Sequence, residues 1–184
     1  MDEPAQGTPQ HAGQQPDDPE AGQQEFGLRW GIKSSFVDYV GRMPDGRLSV
    51  GGGAEPGQAG GVVFPPIRGA RRTTEDNVDE RIWEFGGEAR FAGHFGMLFV
   101  RIASPTIAVR DGVGRLTIAD PYVADGGERL TLADVVVHEQ SQSPGALVWK
   151  SSAVLMHASA RALFNDVYQA GEPFDPLTLV LPDH

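Results

Sequence analysis

Short apolar runs broken by glycines and turn residues recur along most of the chain, and they predict strands. "GRLSVGGGAE" and "GGVVF" read as strands interrupted by glycines, and "RIWEFGGEARFAGHFGMLFVRIASPTIAVRDGVGRLTIADPYV" as a series of short strands joined by turns. Within it, "RDGVGRL" is the clearest hairpin, because Asp-Gly supplies the positive φ that a tight turn needs. "RLTLADVVVHEQ", "ALVWKSSAVLM" and "LTLVL" add three more strands, while "PPIRGARRTTEDNVDE" reads as a long polar loop. Two segments break the strand pattern. "LRWGIKSSFVDYVGR" places Ile32, Ser35, Phe36, Tyr39 and Val40 on one side of a short helix ended by Gly41. In "SARALFNDVYQAG", Ala160, Leu163, Phe164, Val167 and Tyr168 follow helical spacing, with Ser159 and Gly171 as caps. Many strands, two short helices and no crossover helix between successive strands predict a mainly β fold, an antiparallel β-sandwich.

Composition narrows this picture. The 184 residues suffice for one domain with a real core, and 24 Gly and 14 Pro agree with many turns. With no cysteine, disulfides, cysteine-ligated metals and thiol chemistry are excluded. The net charge of −10 argues against nucleic-acid or anionic-membrane binding, although six of the acids lie in residues 1–25 and the remainder carries about −4. That first segment is rich in Pro, Gln, Gly and acid, with Met and Ala its only apolar residues. It cannot bury enough surface to offset its ordering entropy, so a disordered tail is expected over 1–25 and the domain over 26–184. No apolar run is long enough to span a membrane and no secretory signal is evident, which predicts a cytoplasmic protein.

Candidate chemistry is sparse. His94 lies in "FAGHFG", where Gly93 and Gly96 leave space for a planar group; on these residues alone, a satisfied core histidine beside a bulge explains it better. His138 and His157 are solitary, His11 falls in the acidic tail and His184 is terminal, so no zinc constellation forms. The run "VGGGAEPGQAGG" lacks the lysine and helix of a phosphate loop, and "TTEDNVDE" resembles a calcium loop in composition only. Arg68, Arg71 and Arg72 read as a solvated patch. Ser35 and Tyr39, four apart, would project from one helical face about one turn from each other.

Three motifs carry more weight: W-G-x-K-S-S-F-x-x-Y from Trp30 to Tyr39, F-x-G-H-x-G-x-L from Phe91 to Leu98, and F-x-x-x-Y-x-x-G-x-x-x-D-P from Phe164 to Pro176. In this order they resemble the HtaA-type haem-binding domain of bacterial haem-uptake proteins, over about residues 27–182. The resemblance implies a compact β-sandwich with short helices that holds one haem (haem b, ferric). It also implies Tyr39 as the axial ligand of the iron, His94 hydrogen-bonded to the phenolic oxygen, and Ser35 at a haem propionate. Phe36 and Phe95 would flank the porphyrin. A free phenol ionises near ~10, so the ligand form needs help at neutral pH. Ferric iron, acting as a Lewis acid, and a histidine partner would both supply it. An anionic oxygen donor favours Fe(III), which suits haem transport, transfer or buffering, with other haem-carrier proteins as partners. By the same resemblance the protein would be secreted or displayed at the cell surface. Tyrosine also ligates haem in catalase, so a haem-dependent enzyme of peroxide or oxidative tailoring chemistry remains an alternative to a non-catalytic carrier. A cofactor-free interaction module is a third reading.

Overall fold

The computed structural model describes residues 26–73, 79–123, 127–143 and 145–183. The acidic segment expected to be disordered lies outside the described residues, as do His11, His184 and most of "TTEDN". Thirteen strands and one α-helix are found among the described residues. The first half contains β1 (Gly27–Trp30), α1 (Ser34–Gly41), β2 (Arg47–Gly51), β3 (Glu55–Pro56), β4 (Val62–Phe64), β5 (Pro66–Thr73) and β6 (Asp79–Phe85). The second contains β7 (Glu88–Gly93), β8 (Leu98–Ala103), β9 (Thr106–Arg110), β10 (Val113–Ala119), β11 (Arg129–Ser143), β12 (Ala146–Met156) and β13 (Leu177–Pro182).

Ten strands form one antiparallel sheet in the order β3-β4-β1-β13-β12-β11-β10-β9-β6-β5, and β2-β7-β8 form a second. The large sheet curls. Strands β6 and β12 are four places apart, roughly 19 Å in a flat sheet, yet the rings of Trp83 and Trp149 on these strands lie 5.2 Å apart. Arg81 of β6 also sits over the Trp149 ring, 4.6 Å from its centroid. The small sheet faces the concave side. Phe91, Leu98, Val100 and Ile102 are buried in the same cluster as Leu28, Ile107, Leu116, Leu132 and Leu179 of the large sheet. Along β7 and β8 these residues alternate with Arg90, Ala92, Phe99 and Arg101, which face outward. The antiparallel, mainly β architecture is the one the strand pattern predicts.

The β9–β10 hairpin also forms as expected: Arg110 pairs with Val113, leaving Asp111 (φ 50°) and Gly112 (φ 80°) as a two-residue turn. Three segments differ from expectation. Helix α1 begins only at Ser34, because Gly27–Trp30 is a strand held between β13 and β4, and Ile32 (φ 65°) turns the corner between them. The first part of "PPIRGARRTTEDNVDE" is no loop. Residues 66–73 form β5, which pairs with β6 on one side only. An edge strand tolerates the proline and the arginines that made this stretch look irregular; Arg68 pairs with Glu84 at 2.7 Å. Arg71 and Arg72 also lie on β5, and their side chains are outside the described set. The second short helix takes the form of two single 3₁₀ turns, Ala158–Ala160 and Ala162–Phe164. Asn165 and Asp166 then adopt left-handed φ of 52° and 55°. Backbone bonds from Gly171 and Phe174 to Met156 and Val154 draw the following chain back onto β12. No described helix is long and apolar enough to cross a membrane.

Candidate functional site

Helix α1 has two faces, offset by one residue. Phe36 and Val40 are buried, while Ser35 and Tyr39 point outward. Phe36, 2 % exposed, meets Phe91 and Phe164 edge-on at centroid distances of 5.1 and 5.2 Å. It anchors the helix from beneath rather than lining an open surface. Tyr39, 48 % exposed, places its hydroxyl 2.6 Å from Nε2 of His94. With the imidazole proton on Nδ1, the phenol donates and Nε2 accepts. The two rings are tilted by 53°, their centroids 5.8 Å apart.

His94 reaches this position through unusual backbone. The β7–β8 connection is the turn His94–Gly96, with φ of 51°, 54° and 90° at His94, Phe95 and Gly96. Left-handed backbone costs a non-glycine residue roughly 1–2 kcal/mol, and such strain persists only where the surroundings impose it. The turn and the start of β8 expose large apolar side chains. Phe95 is 89 %, Met97 79 % and Phe99 57 % exposed.

On the other flank of Tyr39 the surface turns polar. The Ser35 side chain lies beside the phenol of Tyr168, whose ring packs on Phe164 and lies under the Lys33 ammonium, 4.7 Å from the centroid. Burial pushes the Tyr168 phenol up; Ser35 opposes this, and Glu172 and Tyr39 add to it. Lys33 also donates to the Pro173 carbonyl at 2.9 Å and pairs with Glu172 at 3.6 Å.

The third motif holds the first in place. Oδ1 of Asp175 accepts from the backbone N–H and the hydroxyl of Ser34, at 3.0 and 3.1 Å. This satisfies an N–H that the first helical turn leaves without an internal partner. Asp175 N–H donates to Ile32 at 2.8 Å, and the Trp30 indole donates to the Asp175 carbonyl at 2.9 Å.

Of the residues singled out in the sequence, Ser35, Tyr39, His94 and Phe95 share this surface and Phe36 lies below it. Sequence reasoning missed Tyr168, although its motif contains it. The other described histidines are engaged elsewhere: His138 Nε2 is 3.1 Å from the Ser152 hydroxyl, and His157 Nδ1 2.7 Å from that of Ser159.

Fold and site together define an antiparallel β domain that presents a tyrosine–histidine pair, one member on a short helix and the other on a strained hairpin turn. The family model for HtaA, described as "Htaa", matches residues 25–180, and the chain belongs to the HtaA family. Among solved structures, the C-terminal domain of HtaA from Corynebacterium glutamicum is similar with a TM-score of 0.68 at 22 % identity, covering 84 % of this chain and 94 % of that one. The N-terminal domain of HtaA from the same organism gives 0.63 at 22 % identity, covering 85 % and 96 %. HtaB from Corynebacterium glutamicum, a heme binding protein, gives 0.56 at 17 % identity, covering 85 % and 94 %. At such identities the structural likeness speaks to the fold. A comparison with curated protein sequences returned no match.

Proposed function

We propose that this domain binds one ferric haem b, with Tyr39 as the axial ligand, and serves in haem transport, transfer or buffering. Family membership and the haem binding of HtaB support the class of ligand. The observation that carries the residue assignment is the 2.6 Å contact between the Tyr39 hydroxyl and His94 Nε2.

The residues present fit a haem on three grounds. A phenol already bonded to an imidazole has a base ready to take its proton, so the oxygen can become an anionic donor without bulk base. Exposed Phe95, Met97 and Phe99 offer apolar contact to a flat macrocycle beside that oxygen. One helical turn away, the Ser35 and Tyr168 hydroxyls and the Lys33 ammonium suit a carboxylate edge.

When bound, the haem would supply a Lewis-acidic iron, and the protein would supply an oxygen donor and the contacts around the macrocycle. Tyr39 provides the oxygen. His94 orients the phenol and holds the displaced proton at Nε2. Ser35 and Tyr168 orient the polar edge, and Phe36 keeps the helix seated so that Tyr39 stays aimed outward.

A haem titration of the purified protein followed by absorption tests this reading. Wild type is expected to bind one equivalent with a ferric, oxygen-ligated spectrum, and Tyr39→Ala to lose most of that binding. Wild-type affinity and an unchanged spectrum in the Tyr39→Ala variant would sink the ligand assignment; no saturable binding by wild type would sink the function.

A further inference from the structure

His94 sits on a turn whose three residues, His94, Phe95 and Gly96, all take left-handed backbone. The Met97 N–H bonds the His94 carbonyl at 3.1 Å across it. A second bond comes from outside the hairpin: the Phe95 N–H donates to Oδ2 of Asp45 at 2.5 Å. A carboxylate acceptor makes such a bond stronger than a neutral one.

Asp45 belongs to the turn, residues 43–46, that leaves helix α1. There the Met43 N–H bonds the Val40 carbonyl and the Gly46 N–H bonds the Met43 carbonyl, each at 3.1 Å. Both sides of this turn are closely packed. At Gly46 a Cβ would collide with the Val40 carbonyl, and at Gly93, the residue before His94, it would collide with Sδ of Met43. Residues 43–46 are therefore wedged between the end of the helix that bears Tyr39 and the start of the turn that bears His94.

We infer that Asp45 is a positioning residue: its carboxylate locks the His94–Gly96 turn onto the end of helix α1, and so sets the Tyr39–His94 distance before any ligand arrives. The consequence for ligand binding rests on the haem reading above; the geometry does not. The plainer reading is that Asp45 is only a turn former, since Pro-Asp-Gly suits a turn by itself. On that reading its carboxylate would not matter to residues across the gap.

Asp45→Ala and Asp45→Asn in the full chain separate the two. In the ligand-free protein, Asp45→Ala is expected to accelerate hydrogen exchange at the Phe95 amide by roughly tenfold or more, equivalent to about 1.4 kcal/mol, and to move the NMR signals of the His94 ring. Asp45→Asn, which keeps an acceptor oxygen, restores both in part; it also carries the test should the alanine variant fail to fold. In haem-loaded protein, Asp45→Ala is expected to speed haem release toward the rate of His94→Ala and to add nothing on a His94→Ala background. Wild-type Phe95 exchange and His94 signals in ligand-free Asp45→Ala overturn the inference, even where wild type binds haem. Full additivity with His94→Ala overturns the link to Tyr39. If wild type takes up no haem, the functional reading fails alone, and the ligand-free measurements still decide the role of Asp45.

Discussion

Ser35 and Tyr39 each precede a buried residue, Phe36 and Val40, by one position on helix α1. A single step is a rotation of ~100° about the helix axis, enough to carry Tyr39 from the core to a half-exposed position. Phe36 and Tyr39 therefore do different work, and their variants should separate cleanly. Phe36→Ala removes a ring packed between Phe91 and Phe164 and is expected to cost about 3–5 kcal/mol in urea unfolding. His94→Ala removes an exposed ring; it should leave the unfolding midpoint within error while haem is released roughly tenfold faster, the loss of a contact worth about 1.4 kcal/mol. A collapsed midpoint in His94→Ala would mean that the histidine is structural. Pairing His94 with Tyr39 was legible only through the motif resemblance. The two lie 55 residues apart in sequence, and nothing local to "FAGHFG" distinguishes a ligand partner from a core histidine.

Elements were legible where the backbone chemistry was self-sufficient. Asp111-Gly112 specifies its turn because those two residues accept positive φ at little cost. By contrast, β5 takes all its ladder pairing from one partner strand, and its Pro66, Arg68, Arg71 and Arg72 carry no alternating pattern. Strand β1 was hidden because its burial comes from neighbours on both sides, so Trp30 and Ile32 mimicked a continuation of the helical stripe. The start of α1 is likewise set from far away, by Asp175. A Cβ on Gly31 would come within 2.6 Å of Oδ2 of Asp175, so Gly31→Ala must displace the carboxylate that holds Ser34. Gly31→Ala and Asp175→Ala are each expected to cost about 1–2 kcal/mol, and the double variant no more than the worse single one. Additive losses in chemical denaturation would show that Gly31 acts elsewhere.

Across the whole molecule, Glu88 gives the small sheet stability at neutral pH that acid removes. Burial pushes its carboxyl up, but Arg101, 2.6 Å away on β8, and Arg90 on its own strand together hold it below the usual glutamate value. A carboxylate lowered on folding contributes stability that is complete above its unfolded-state pKa. That contribution is lost as pH falls from about 4.5 through the lower folded value. Glu88→Gln should thus flatten the acid side of the stability–pH curve and lower stability at neutral pH. An acid limb of unchanged slope would count against this pair.

Read alone, the sequence settled the fold class, the Asp111-Gly112 turn and the residue types gathered in three motifs, because short-range backbone preferences and strand patterning need no distant partner. It also carried Tyr39, His94 and Ser35 as candidates, through the order and spacing of those motifs. Only the tertiary structure decided that Phe36 is core, and that Asp45 and Asp175 brace the two pieces from elsewhere in the chain. Those outcomes depend on which strands pair and how far the large sheet curls, and long-range pairing leaves no periodic trace in the residues that take part.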